Sequence, residues 1–494
     1  MFVFSFNPLL LTMSLPLIGI FILIFFISDN EKLNIKVFSL LITSVTFLSS
    51  LLLWINFIES TFQFQFLQTY RLSSFFNITY SIGLDGISIF FLLLSTFLIN
   101  LCILISWENP KYFIKEYFLC FLFLEFCLIQ VFCVLDILFF YIFFESVLIP
   151  MFLIIGIWGS RERKIRAAFQ FFLYTLIGSL FMLSAIIFIY SVKGTTDLLS
   201  LWFTDFSLKL QLLLWILFFF GFAVKIPMIP FHIWLPEAHA EAPTAGSVIL
   251  AGVLLKLGGY GFLRFSLPLF PLACLYFNPL IYLFSLIAIL YGSLTTLRQI
   301  DLKKIIAYSS IAHMGFVTLG IFSLNINGIE GSIILMLSHG LISSAMFFCI
   351  GILYDRYNTR ILKYFGGLVQ TMPLFIIFFT FFSFSNISFP GTSSFVGELL
   401  ILIGLSKVSF ILVSFAFIGV ILSASYTIWL LNRVCFGLLS TFYFTKFQDI
   451  SRREFLILLL LTFIILWLGI YPHAFLYEIH FSILNLFKLL FLKF

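Results

Sequence analysis

Apolar residues in this chain come in stretches of about twenty, separated by short clusters of charge. A stretch of that length crosses a bilayer as a helix, at about 1.5 Å of rise per residue. About fourteen spans are expected, near 8–28, 37–58, 86–107, 116–134, 136–157, 167–192, 210–230, 244–263, 268–296, 304–323, 331–353, 372–405, 408–432 and 455–475. The twelfth is too long for one crossing and contains Pro390 and Gly391, so it reads as an interrupted helix. The seventh reads as broken too, because Pro227 and Pro230 each remove a backbone donor. The first run is followed by many others and lacks a basic leader or a small-residue cleavage site, which makes it a retained span.

The basic residues test this count. If successive loops alternate sides, the loops after odd-numbered spans carry 18 Lys and Arg and the other side 7, with Lys225 and Lys256 inside the membrane, 27 in all. A missed or extra span would blur that bias. By the positive-inside rule both termini face outward.

Composition agrees: 62% apolar, 20% aromatic and 10% charged residues leave too little polar surface for a soluble chain of 494 residues. The net charge of +6 therefore reflects loop bias, and no basic stripe interleaved with aromatics points to nucleic acid. The 72 phenylalanines, many where Leu or Val would serve, point to an AT-rich genome of the organellar kind. Seven cysteines never form a C-x-x-C, so neither a cluster, a zinc site nor a disulfide framework is indicated. The glycines of LGGYG (Leu257 to Gly261) lie within an apolar helix rather than between strand and helix, which excludes a phosphate loop.

Against this background the ionisable residues inside spans stand out. Lys225 lies about fifteen residues into an otherwise uncharged run, roughly 22 Å deep by helical rise, where a charge costs at least ~3 kcal/mol. Glu125, Glu145, Lys256, His313, His339 and Glu398 are likewise placed within spans. Seven such residues beside two broken helices suit an ion pathway. The competing reading is structural: fixed ion pairs such as Glu145 with Lys225, and histidines that only bond a neighbouring helix. Asp136, at the tight turn into span five, is expected to cap a helix. The segment His232 to Gly246 reads as a helix-linking loop or inlet funnel at the basic face, in which Glu237 and Glu241 draw protons. The spacing of His232 and His239 does not suit a metal. SRERKIR (Ser160 to Arg166) reads as orientation signal and lipid-headgroup contact.

The breaks in spans seven and twelve are five spans apart, an odd offset that reverses direction. The expected fold is an all-α polytopic membrane protein built on two inverted five-helix repeats. The divisions are residues 1–115 (spans one to three), 116–266 (first repeat), 267–440 (second repeat) and 441–494 (span fourteen and an amphipathic tail).

Four stretches carry a resemblance: FFESVLIPMFLIIGIWG (Phe143 to Gly159), KIPMIPFHIWLPEAHAEAPTAGSVILAGVLLKLGGYG (Lys225 to Gly261), YSSIAHMG (Tyr308 to Gly315) and FPGTSSFVGE (Phe389 to Glu398). They resemble the antiporter-like proton-channel subunits of respiratory complex I, over most of spans four to thirteen. Glu398, where paralogous subunits carry lysine, and the short tail are similar to the chain-4 type, bacterial chain M. The multi-subunit cation/proton antiporters share the core and are the alternative.

The resemblance implies that Glu145 pairs with Lys225, Lys256 bridges in span eight, Glu398 is the exit-side acid, and His313 and His339 lie between. It implies a non-redox, proton-pumping subunit with no cofactor of its own; NADH, FMN, iron–sulfur clusters and quinone would sit in partner subunits. Its partners would be other membrane-arm subunits, including neighbouring antiporter-like ones, and lipids, in the mitochondrial inner membrane or a bacterial plasma membrane.

Overall fold

The computed structural model describes residues 7–73, 77–439 and 447–491. Lys446 and Lys493, counted in the loop bias, and the 441 boundary fall outside them. Every expected span has a helix. The first four are α1 (Pro8–Phe26), α2 (Lys32–Ile55), α3 (Ser88–Ile105) and α4 (Ile114–Cys133). The fifth crossing is α5 (Ile137–Ser146) with α6 (Leu148–Trp158), and the sixth is α7 (Lys164–Lys193). A short α8 (Leu198–Trp202) precedes the seventh, α9 (Leu208–Lys225) and α10 (Trp234–Glu241). The eighth runs through α11 (Thr244–Ile249), α12 (Leu255–Gly261) and α13 (Leu267–Leu269), joined by π-helical turns at Leu250–Leu254 and Phe262–Ser266. Then come α14 (Pro271–Thr296), α15 (Leu302–Phe322), α16 (Ile326–Tyr357), the split pair α17 (Pro373–Asn386) and α18 (Ser393–Ser406), α19 (Phe410–Cys435), α20 (Arg452–Ile470) and the amphipathic α21 (His473–Phe491). Among the described residues thirteen crossings are long, apolar helices, and α17 with α18 makes the fourteenth.

Side-chain caps mark many helix starts, each worth about 1 kcal/mol. Asn7, Asp136, Asp197, Asp301 and Asn325 accept from backbone amides of the first turn, and Ser451 with Glu454 forms a capping box. Asp136 also accepts from Thr196 Oγ1 at 2.7 Å, tying two outward loops together. Hydrocarbon offers helices no hydrophobic drive to associate, so small and hydroxyl residues make the close contacts. On α2 the buried Ser39, Thr43, Thr46 and Ser50 share one face; Ser50 meets Thr96 of α3 at 3.0 Å.

Loop contacts agree with the alternation of sides. On the basic face Lys36 bonds the Trp107 carbonyl (2.6 Å), Lys304 pairs with Glu237 (2.6 Å), Arg356 with Glu454 (2.5 Å) and Arg453 with Glu108 (2.8 Å). On the opposite face Ser482 Oγ accepts from Gly86 N (2.9 Å) and Glu478 from Trp54 Nε1 (2.6 Å).

Some features differ from expectation. The second loop contains an antiparallel hairpin, β1 (Gln65–Ser73) and β2 (Ile78–Leu84), which the helical reading did not include. The segment after His232 is not a loop: Trp234–Glu241 is the buried second half of the interrupted seventh span. Arg264 and Lys303, assigned to loops, are buried. Arg264 lies on the eighth crossing, which runs on to Leu269, and Lys303 lies in the first turn of α15.

Candidate functional site

The site is built where helices fail to be regular. At the end of α9, Pro227 and Pro230 cannot donate, and Pro227 sits at φ +30°. The freed Val224 carbonyl is taken up by Trp234 Nε1 of α10 at 3.0 Å. Lys225, the last residue of α9, is buried at this break. Pro150 in α6 has no amide for the Ser146 carbonyl, and the fifth crossing is interrupted there, one residue after Glu145.

In the eighth crossing the two π-turns bracket α12, which carries Lys256; π-turns inside α-helices often mark functional positions. Lys256 Nζ donates to the Ala251 carbonyl and stands 2.9 Å from Nδ1 of His339 on α16. That approach needs glycine. A Cβ at Gly340 would lie 2.8 Å from Leu94 Cδ2 and 2.9 Å from the Gly252 carbonyl.

The His339 and His313 rings are 5.5 Å apart, and His313 Nδ1 lies 3.1 Å from Glu398 Oε1 on α18, just beyond the break at Pro390. Gly397 permits this, since a Cβ there would sit 2.8 Å from Leu335 N of α16. A cavity of about 10 Å³, room for one water molecule, lies among His313, His339, Ser385, Asn386 and Ser394. His313 Nε2 is buried with no partner. Lys256, His339, His313 and Glu398 thus form one buried line across α12, α16, α15 and α18.

The remaining expected residues are less tightly joined. Lys225 and Glu145 lie within electrostatic reach of each other, but no ion pair or hydrogen bond joins them among the described residues. The ammonium instead rests 4.6 Å from the centroid of the Phe144 ring, and Glu145 Oε1 is buried and unpartnered. The π-face offers part of what a carboxylate would. Glu125 accepts from Thr46 Oγ1 of α2 at 2.5 Å, and no hydrogen bond or ion pair joins it to the line among the described residues.

Several buried polar groups were not anticipated. Lys303 donates to the Ala242 carbonyl (2.7 Å) and Ser247 Oγ (3.1 Å), fastening α10 and α11 to α15. His239 of α10 is fully buried, stacked on Phe347 at 4.8 Å, with both ring nitrogens unpartnered. Arg264 makes two bonds to Asp85, at 2.6 and 2.8 Å. A signal for that pair existed: Asp85 is the only charge between Arg71 and Glu108, and Arg264 the only one between Lys256 and Arg298. His232 faces Tyr291, apart from His239, and no metal-binding group of three His, Cys, Asp or Glu occurs among the described residues.

Residues 118–423 match the transmembrane family described as NADH:quinone oxidoreductase/Mrp antiporter. The chain belongs to this family. Among its curated members, NADH-ubiquinone oxidoreductase chain 4 of Chondrus crispus is 65% identical over 485 residues, 98% of each chain. The chain 4 of Marchantia polymorpha is 58% identical, covering 96% of this chain and 95% of the relative. Among solved structures, a chain of respiratory complex I from Thermus thermophilus superposes with a TM-score of 0.88 at 28% identity, over 98% of this chain and 99% of the other. A chain of the Mrp complex from a Dietzia species has a TM-score of 0.85 at 18% identity, over 97% of this chain and 98% of the other, and shares the fold.

Proposed function

We propose that this chain is the proton-translocating chain-4 subunit of an NADH:ubiquinone oxidoreductase, driven by quinone reduction in neighbouring subunits. The observation that carries this reading is the buried line in which Lys256 meets His339 and His313 meets Glu398. A proton leaving the Lys256 ammonium is accepted at His339 Nδ1, and the other ring nitrogen releases one towards His313. The small cavity between the rings has room for the water that would bridge them. His313 then protonates Glu398 at Oε1. Each step moves one proton and leaves the donor neutral or, at the end, the carboxyl protonated.

Lys225 and Glu145 form the loading end. An ammonium resting on a ring rather than in a closed ion pair can gain or lose its carboxylate partner by a small side-chain movement, which alters its hold on the proton. In this reading residues 116–266 and 267–440 act as two inverted repeats, with the redox cofactors in partner subunits. The chain spans the mitochondrial inner membrane many times, its basic loops facing the matrix.

The test is Lys225→Ala in the assembled, reconstituted complex. Proton translocation is expected to be abolished while assembly persists; normal pumping would overturn the assignment.

A further inference from the structure

A cleft and a cavity, both outside the proton line, meet at Trp54. The cleft, about 190 Å³, lies between α2, α3, α16 and α20 and is lined by apolar side chains, among them Phe47, Leu51, Leu94 and Leu341. The cavity, about 630 Å³, opens beside it on the outward face, bounded by Trp54, Glu59, Tyr471, His473, Tyr477 and Glu478. From Trp54 to Phe47 is two turns of α2, roughly 10 Å of descent. One compartment therefore lies at headgroup depth and the other in hydrocarbon.

The polar compartment is built for a cation. Glu478 is only 5% exposed; one carboxylate oxygen accepts from Trp54 Nε1 at 2.6 Å, while Oε2 is buried with no partner. Glu59 borders the same space, and Trp54, Tyr471 and Tyr477 wall it. Acid and aromatic rings together attract an ammonium group, and a buried acceptor left unmatched needs a donor. A primary ammonium supplies both charge and N–H. A choline supplies only charge, and an anionic headgroup would meet two carboxylates. The Tyr471 and Tyr477 hydroxyls and the His473 ring can donate to a phosphodiester at the rim. A small soluble amine would leave the apolar cleft unfilled.

We propose that cleft and cavity together bind a glycerophospholipid with a primary-amine headgroup, its ammonium on Glu478 and one acyl chain in the cleft. The chain would pack on Leu337 and Leu341, on the face of α16 turned away from His339.

The test uses the intact complex, purified in mild detergent, washed with choline lipid, and assayed by mass spectrometry for retained lipid. Two variants are compared with the unaltered chain: Glu478→Gln, which keeps an acceptor for Trp54 but removes the charge, and Leu51→Trp, which fills the cleft. The unaltered complex is expected to hold one more amine-headgroup lipid than either variant. Equal retention in all three, displacement of the amine lipid by choline lipid from the unaltered complex, or a neighbouring subunit's segment seated in the cleft would overturn the proposal. Should Glu478→Gln fail to assemble, Glu59→Gln replaces it, and Leu51→Trp reads the acyl compartment independently.

Discussion

Lys256 and His339 face each other across two helices with 2.9 Å between Nζ and Nδ1, and both are buried. They are 83 residues apart in the chain, so only tertiary packing creates the contact. A buried ammonium whose acceptors are one imidazole and one main-chain carbonyl has few routes for its proton.

Removing the imidazole should close that route. His339→Gln keeps a polar group beside Lys256 but cannot relay a proton. Proton transfer through the chain is expected to slow by about 100-fold. Measuring protons moved per quinone reduced in proteoliposomes checks it, and an unchanged ratio would remove His339 from the pathway.

Spacing matters as much as chemistry. Gly340→Val would place side-chain atoms where Leu94 and the Gly252 carbonyl already sit. Forcing α16 away from the eighth crossing should cost about 1–3 kcal/mol and separate His339 from Lys256. Lower thermal stability together with lost pumping is expected; a stable, pumping variant would show that the close approach is dispensable.

The Asp85–Arg264 pair offers a test of structure without transport. Asp85→Ala leaves a buried guanidinium unpaired and is expected to destabilise the chain by about 3–5 kcal/mol. Asp85→Ala combined with Arg264→Met should recover much of that loss. Thermal unfolding of the purified complex distinguishes the two variants.

Glu478 lies on α21, outside the membrane crossings, and burial pushes its carboxyl up to about 7, with the Trp54 hydrogen bond opposing and Glu59 adding to the rise. With no ammonium beside it, an acid raised in this way favours the fold fully below the unfolded value near 4.5, and that contribution is lost as pH rises towards 7. In lipid-stripped complex, stability should therefore fall between about pH 4.5 and 7, and Glu478→Gln should flatten the fall. Melting temperatures across that window, compared between the two forms, decide it.

The crossings were legible because long apolar runs in water-free surroundings admit little besides helix. Lys225, Lys256, His313, His339 and Glu398 were legible for the converse reason, since a charge inside such a run is costly. Their partners were not: periodicity along one helix carries no information about which helix lies opposite. Arg264 and Lys303 are not legible as buried, because in a sequence charges are what mark the ends of spans, and a buried charge near a boundary looks like loop. The polar stretch around His239 concealed α10 in the same way. Glu125, with Thr46 as its hydrogen-bond partner, has no visible link to the line.

The bonds that join early and late parts of the chain limit how the machine can work. Arg453 to Glu108 and Arg356 to Glu454 on one face, with Gly86 to Ser482 and Trp54 to Glu478 on the other, act as a hoop around the bundle. These ties, on both faces, hold early and late crossings side by side. Under the proposed function, the work inside a frame held this way falls to the swing of individual side chains.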